Sequence, residues 1–147
     1  MCLSFVLHNT GPYNDSKIRY KVVRVSPNCG DLRSAHVSYT WKVGKNNIAK
    51  RSIDRPHDSA ENIGFHCLLT KADAMLGVRG FVNDEKVIIK LEVRGFVAAG
   101  EWEAKLGNFK VEYPQTTLLS ETWKQAKILQ VISRGGRDIT HRFVSNK

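Results

Sequence analysis

Hydrophobic and polar positions alternate with a period of two through much of this chain. From His36 to Val43, residues Val37, Tyr39, Trp41 and Val43 share one face and polar residues the other, the pattern of a half-buried antiparallel strand. Val87, Ile89, Leu91 and Val93 alternate with Ile88, Lys90, Glu92 and Arg94 to give the longest predicted strand, which Gly95 bends or bulges. Ile18 to Val25 and Cys2 to Leu7 read as further strands. Ala126 to Ile132 is rich enough in Ile and Val to favour a last one.

Helix is scarce. Thr70-Lys71-Ala72-Asp73 resembles a capping box, and Ala72, Ala74, Met75 and Leu76 continue it for two turns before Gly77 stops it. Segments 9–16, 26–35 and 44–60 carry Gly, Pro, Asn, Asp and Ser and read as loops. The loop after Gly44 is long, basic and polar, which marks it as functional or mobile. Val78-Arg79-Gly80-Phe81-Val82 recurs as Val93-Arg94-Gly95-Phe96-Val97, expected as two equivalent strand-end turns. The expected fold is α+β: a mostly antiparallel, strongly curved sheet or partial barrel with one short helix. Residues 1–133 form the expected single globular domain, and 134–147 a basic, flexible tail.

Composition narrows the class. At 147 residues, 41% hydrophobic and 25% charged, the chain suits one globular domain. No run of about 18 apolar residues is present, so no membrane span is expected. The start, MCLSFVLHNT, has neither a basic n-region nor a long apolar h-region, and a cytoplasmic protein is expected. Cys2, Cys29 and Cys67 make no metal-binding spacing, and an odd count suits a reducing compartment. No metal or cofactor is expected.

Charge changes the picture more. Residues 17–55 hold ten Lys and Arg against Asp31 and Asp54, and 134–147 hold four against Asp138, within a formal net charge of +9. Such concentration attracts phosphates or acidic protein surfaces; its bland counterpart is a solvated basic face.

Four phrases occur in order: Tyr20-Lys21-Val22-Val23, Trp41-Lys42-Val43-Gly44-Lys45, Gly64-Phe65-His66-Cys67 and Lys127-Ile128-Leu129. Over residues 18–132 they resemble a family of small phage and bacterial proteins of unknown function, some found beside pentapeptide-repeat proteins. That family usually carries a Cys shortly before Gly-Phe-His, where this chain has Ala60 and Glu61. The resemblance implies a phage or mobile-element origin and no established activity.

Several residues are candidates for chemistry. If Phe65 faces the core, alternation turns His66 to a groove or solvent, where it can bond a phosphate or exchange a proton. The alternative is a structural His that fixes the turn at Gly64. Cys67 and His66, adjacent on a strand, diverge and make a poor nucleophile–base pair. Gly44-Lys45 lacks the rest of a phosphate-binding loop, but Gly44 can turn the chain and present Lys45, Lys50 and Arg51 to an anion. Glu101-Trp102-Glu103, with Arg24, Ser38 and Thr40, faintly resembles the arginine-serine-glutamate pattern of ADP-ribosyltransferases, which implies that Glu103 orients a ribose. Tyr39 and Trp41 among Lys42 and Lys45 suit base stacking or a core face. Arg134-Gly135-Gly136 is a lone nucleic-acid-like signal.

The expectation is a non-enzymatic binder of a phosphate-bearing partner, nucleic acid or a nucleotide such as a host-defence signal. Its expected ligand-binding residues are Lys21, Arg24, Lys42, Lys45, Lys50, Arg51, His66 and Arg94. An acidic host-protein surface and ADP-ribosyl transfer are the alternatives.

Overall fold

Alternation commits most of the chain to strands, and in the computed structural model they pair into one mostly antiparallel sheet with a single short helix against it. The structure describes residues 5–8, 16–26, 30–34, 39–49, 64–78, 85–105 and 115–144, with backbone alone at 5–8, 77, 101–105 and 115–117. The strands are β1 (Phe5–His8), β2 (Lys17–Val25), β3 (Leu32–Ser34), β4 (Asn46–Ile48), β5 (Phe65–Leu68), β6 (Lys86–Lys105) and β7 (Gln115–Ile132), with α1 at Lys71–Val78 between β5 and β6. Their order is β1-β6-β2-β5-β7-β4, with β3 beside β2. Because β6 also pairs β7, the pairings β6–β2–β5–β7–β6 form a circuit. Its thinnest seam is β2 against β5, where Tyr20 and Leu68 are the only register pair.

The sheet has two differently covered faces. On the inner face, Val23, Ile89, Leu91, Val93, Phe65, Trp123, Ala126 and Val131 form the main core. Tyr39, Trp41 and Phe65 interlock there with ring centroids 4.6–5.4 Å apart, so the aromatic pair is core and not a stacking platform. On the outer face, Val22, Leu68, Ile88, Leu118 and Ile132 meet Ala74 and Val78 of α1. Thr70 starts that helix as expected, its Oγ1 accepting the Asp73 N–H at 3.1 Å. The helix runs through Gly77 to Val78, so the two VRGFV copies differ: one begins at a helix end and the other lies within β6. The rest of the first copy lies outside the described residues.

The strand expected over 36–43 is present from 39 on as an extended segment with bridges at Thr40 and Val43, while 35–38 lie outside the described residues. In place of a flexible tail from 134 onward, β7 reverses. Ser133 N–H donates to Arg137 O (2.7 Å) and Gly136 N–H to Ser133 O (2.9 Å), with Gly136 at φ +87°. This is a type I turn closed by a left-handed glycine. The returning segment places Ile139 and Phe143 against the main core.

Candidate functional site

Among the described residues, the expected ligand residues do not converge. On β2, Lys21 shares the inner parity of Val23 and Val25; it is 1% exposed and donates from Nζ to His66 O at 2.8 Å. His66 faces neither groove nor solvent: it is fully buried, opposite Thr122 in register. Phe65 and His66 do face opposite sides, but both sides of the sheet are covered there. Arg24 is half-buried and donates from Nε to Ser34 O at 3.2 Å. Lys42, Lys45 and Arg94 are exposed. Lys50 and Arg51 lie outside the described residues. The basic run 17–55 is therefore divided among interior, rim and surface, because alternate residues of β2 point opposite ways.

The inner face near Lys21 carries a second charged group. Arg19 Nε pairs with Glu121 Oε1, which also accepts Trp123 Nε1–H at 3.2 Å. Arg19 lies 6.0 Å from the Trp123 ring centroid. These contacts bridge β2 to β7 beside the single β2–β5 pair, so their evident role is to hold the seam.

Cations do gather on the outer face beyond α1. Residues opposite one another across antiparallel strands share a face. One row runs Ile18, Glu92, Lys127, Asn46; a second Arg94, Gln125, Ile48; a third Tyr20, Lys90, Gln130. Trp123 and Ala126 both enter the core, so Lys124 and Gln125 between them both project outward, Lys124 beside Gly95. Lys45 sits where β4 begins. Lys90, Arg94, Lys124 and Lys127 thus flank Glu92, which lies 3.7 Å from Arg94 in a well-exposed pair, while a second carboxylate, Asp138, meets the Lys90 row through Gln130.

Two irregularities shape this platform. The β6–β7 register shifts between Lys90 and Leu91 and shifts back between Phe96 and Ala98. The bulges offset one another, and the stretch between them is where the cations lie.

Asn47 fixes the turn that presents Lys42 and Lys45. It is 1% exposed; its Oδ1 accepts Lys42 N–H (2.9 Å) and Tyr39 O–H (3.0 Å), and its Nδ2 donates to Lys42 O, Lys45 O and Ala126 O. Burial raises the Tyr39 pKa, keeping the hydroxyl protonated as a donor. Gly44, at φ +84°, completes the turn.

Sequence reasoning missed Lys90, Lys124, Lys127 and Asn47. The opposite face of β6 was readable as Ile88, Lys90, Glu92 and Arg94. Its union with β7 needed the register.

Among the described residues of the arginine-serine-glutamate set, Arg24 and Glu103 stand far apart. Arg24 pairs with Lys86 at the start of β6, and Glu103 lies seventeen residues further along the same strand. Thr40 is bridged to Arg33, and Ser38 lies outside the described residues.

Two of the open hollows lined by described residues measure about 250 and 210 Å³. No group of three or more His, Cys, Asp or Glu residues suited to a metal is found among them, and no helix is long and apolar enough to cross a membrane. No family model, curated protein or solved structure matches this chain.

Proposed function

We propose that this protein binds a polyanion, nucleic acid first, through the outer face of β6, β7 and β4. The observation that carries this reading is the gathering of Lys90, Arg94, Lys124 and Lys127 on the outer sheet face, where the last three are exposed. A row of cations on a broad face suits successive phosphates of a chain.

A second reading rests on Ile18 and Ile48, which are 39% and 58% exposed in the same rows. Apolar residues among cations also suit an acidic protein surface, such as the host protein a phage product would engage. The phage setting rests on the sequence resemblance alone.

Fluorescence anisotropy with a short labelled duplex of mixed sequence tests the proposal. Replacing Arg94, Lys124 and Lys127 together by Gln should weaken binding about tenfold or more at low salt, with an unchanged fold. Unaltered affinity would remove the face from consideration. Loss on Ile18→Ser and Ile48→Ser with the cations intact would favour the protein partner.

A further inference from the structure

The 250 Å³ hollow lies further along the outer face from the cationic rows, its Lys86 four residues before Lys90 on β6, and its chemistry is different. It measures about 250 Å³ and is lined by Glu85, Lys86, Val87, Ser133, Arg134 and Gly135. Lys86 enters from β6 with the parity of Ile88, on the side of α1, and is 4% exposed. Arg24 stands opposite it in register and adds a second positive charge to that face. Arg134 is held at the rim by a 2.8 Å bond from Nη2 to Val78 O, the last residue of α1. The carboxylate of Glu85 is engaged by Arg142 Nη1 at 3.0 Å, which offsets its charge.

The wall between these cations is the turn that reverses β7. Arg134 and Gly135 are its two central residues, and Gly136 N–H closes it on Ser133 O. Ser133 Oγ accepts Arg137 N–H at 3.0 Å, which orients the hydroxyl. A side chain at Gly135 would have Ser133 Oγ as its one near neighbour, at 3.8 Å, so the turn leaves open space there. The lining thus brings together a lysine, an arginine, a serine and a glycine-bearing turn, the residue types whose donors recognise a tetrahedral oxyanion.

We propose that the hollow between Lys86, Ser133, Arg134 and Gly135 is a binding site for a single phosphate group, as inorganic phosphate or a phosphomonoester head. Its volume admits the phosphate and leaves the organic remainder of an ester outside. The site shares none of the residues Lys90, Arg94, Lys124 and Lys127 and stands whether or not they bind a polymer.

The probe is inorganic phosphate, followed through the amide resonance of Gly135 and the Nε resonance of Arg134, with sodium chloride of matched ionic strength as control. Phosphate should shift both resonances saturably while chloride does not, and Arg134→Gln should weaken the response about tenfold or more. Arg134 is exposed, so this variant tests charge without disturbing the core; Lys86→Met, at a buried position, is read only alongside it. Lys127→Gln should leave the phosphate response intact. Absence of a saturable shift in the wild type, or equal affinity in Arg134→Gln, overturns the proposal.

Discussion

Both ends of the Asn47 amide are committed to backbone or to Tyr39, and the residue is buried. Asn47→Ala strips hydrogen-bond partners from the Lys42–Lys45 turn and from Ala126 O. It should destabilise the protein by about 2–4 kcal/mol in chemical denaturation, since a buried group left unsatisfied costs about 1–3 kcal/mol. Asn47→Asp keeps the size but places an acceptor against three carbonyls, so it should be no milder. Wild-type stability in the Asn47→Asp variant would mean that the Nδ2 donors do not hold the turn. Gly64 is equally constrained. At φ +121° an added Cβ would stand 2.6 Å from Trp123 O, so Gly64→Ala should cost about 2 kcal/mol or more. The glycine of the Gly-Phe-His phrase is thus explained by close approach of β7, and the histidine by burial.

At the scale of elements, the segment 133–144 is the one most open to a direct pH test. Asp138 accepts from Thr140 Oγ1 (2.6 Å), Thr140 N (2.9 Å) and Gln130 Nε2 (2.9 Å). The Thr140 bonds foremost, then the Gln130 bond and the charge of His141, lower its pKa from 3.8 to about 2. A depressed carboxyl pKa stabilises the docked segment above the ordinary value, and the contribution is lost as pH falls through about 2. The Thr140 and Ile139 amide resonances should therefore titrate with a midpoint at about pH 2. In Asp138→Asn that step should disappear; an unchanged titration would assign it elsewhere.

Much of the element pattern was legible in the sequence. Ile18–Val25, the strand begun at Val87 and the Thr70 cap needed only period and propensity. Residues 115–125 were not legible as strand, because the polar Ser120, Glu121 and Thr122 are buried between Leu118 and Trp123 while Leu119 is exposed, which breaks the apolar alternation. The turn at 133–137 read as a tail because two adjacent glycines signal flexibility as readily as a left-handed closure. Lys21 read as surface because neither face of β2 is uniformly apolar, and only the paired strands reveal which face lies inward.

Over the whole molecule, charge concentrated in sequence is not charge concentrated in space. The run 17–55 holds ten cations, yet Lys21 is buried, Lys17, Arg19, Arg24 and Arg33 are half-buried, and Lys42 and Lys45 alone among its described cations are exposed. The uncovered cationic face draws mainly on 86–127, a stretch with no such excess. Register and compensating bulges bring Lys90, Arg94, Lys124 and Lys127 together there. The measurement that tests this arrangement most directly is the salt dependence of duplex binding by the wild type and by the quadruple variant Lys90→Gln, Arg94→Gln, Lys124→Gln, Lys127→Gln. Each phosphate neutralised contributes about −0.9 to the slope of log K against log salt. The wild type should show a steep negative slope, and the variant a slope shallower by about one unit for each phosphate it no longer neutralises, at nearly unchanged melting temperature. Equal slopes for the two proteins, or binding that does not change with salt, would contradict a polyanion interface on this face.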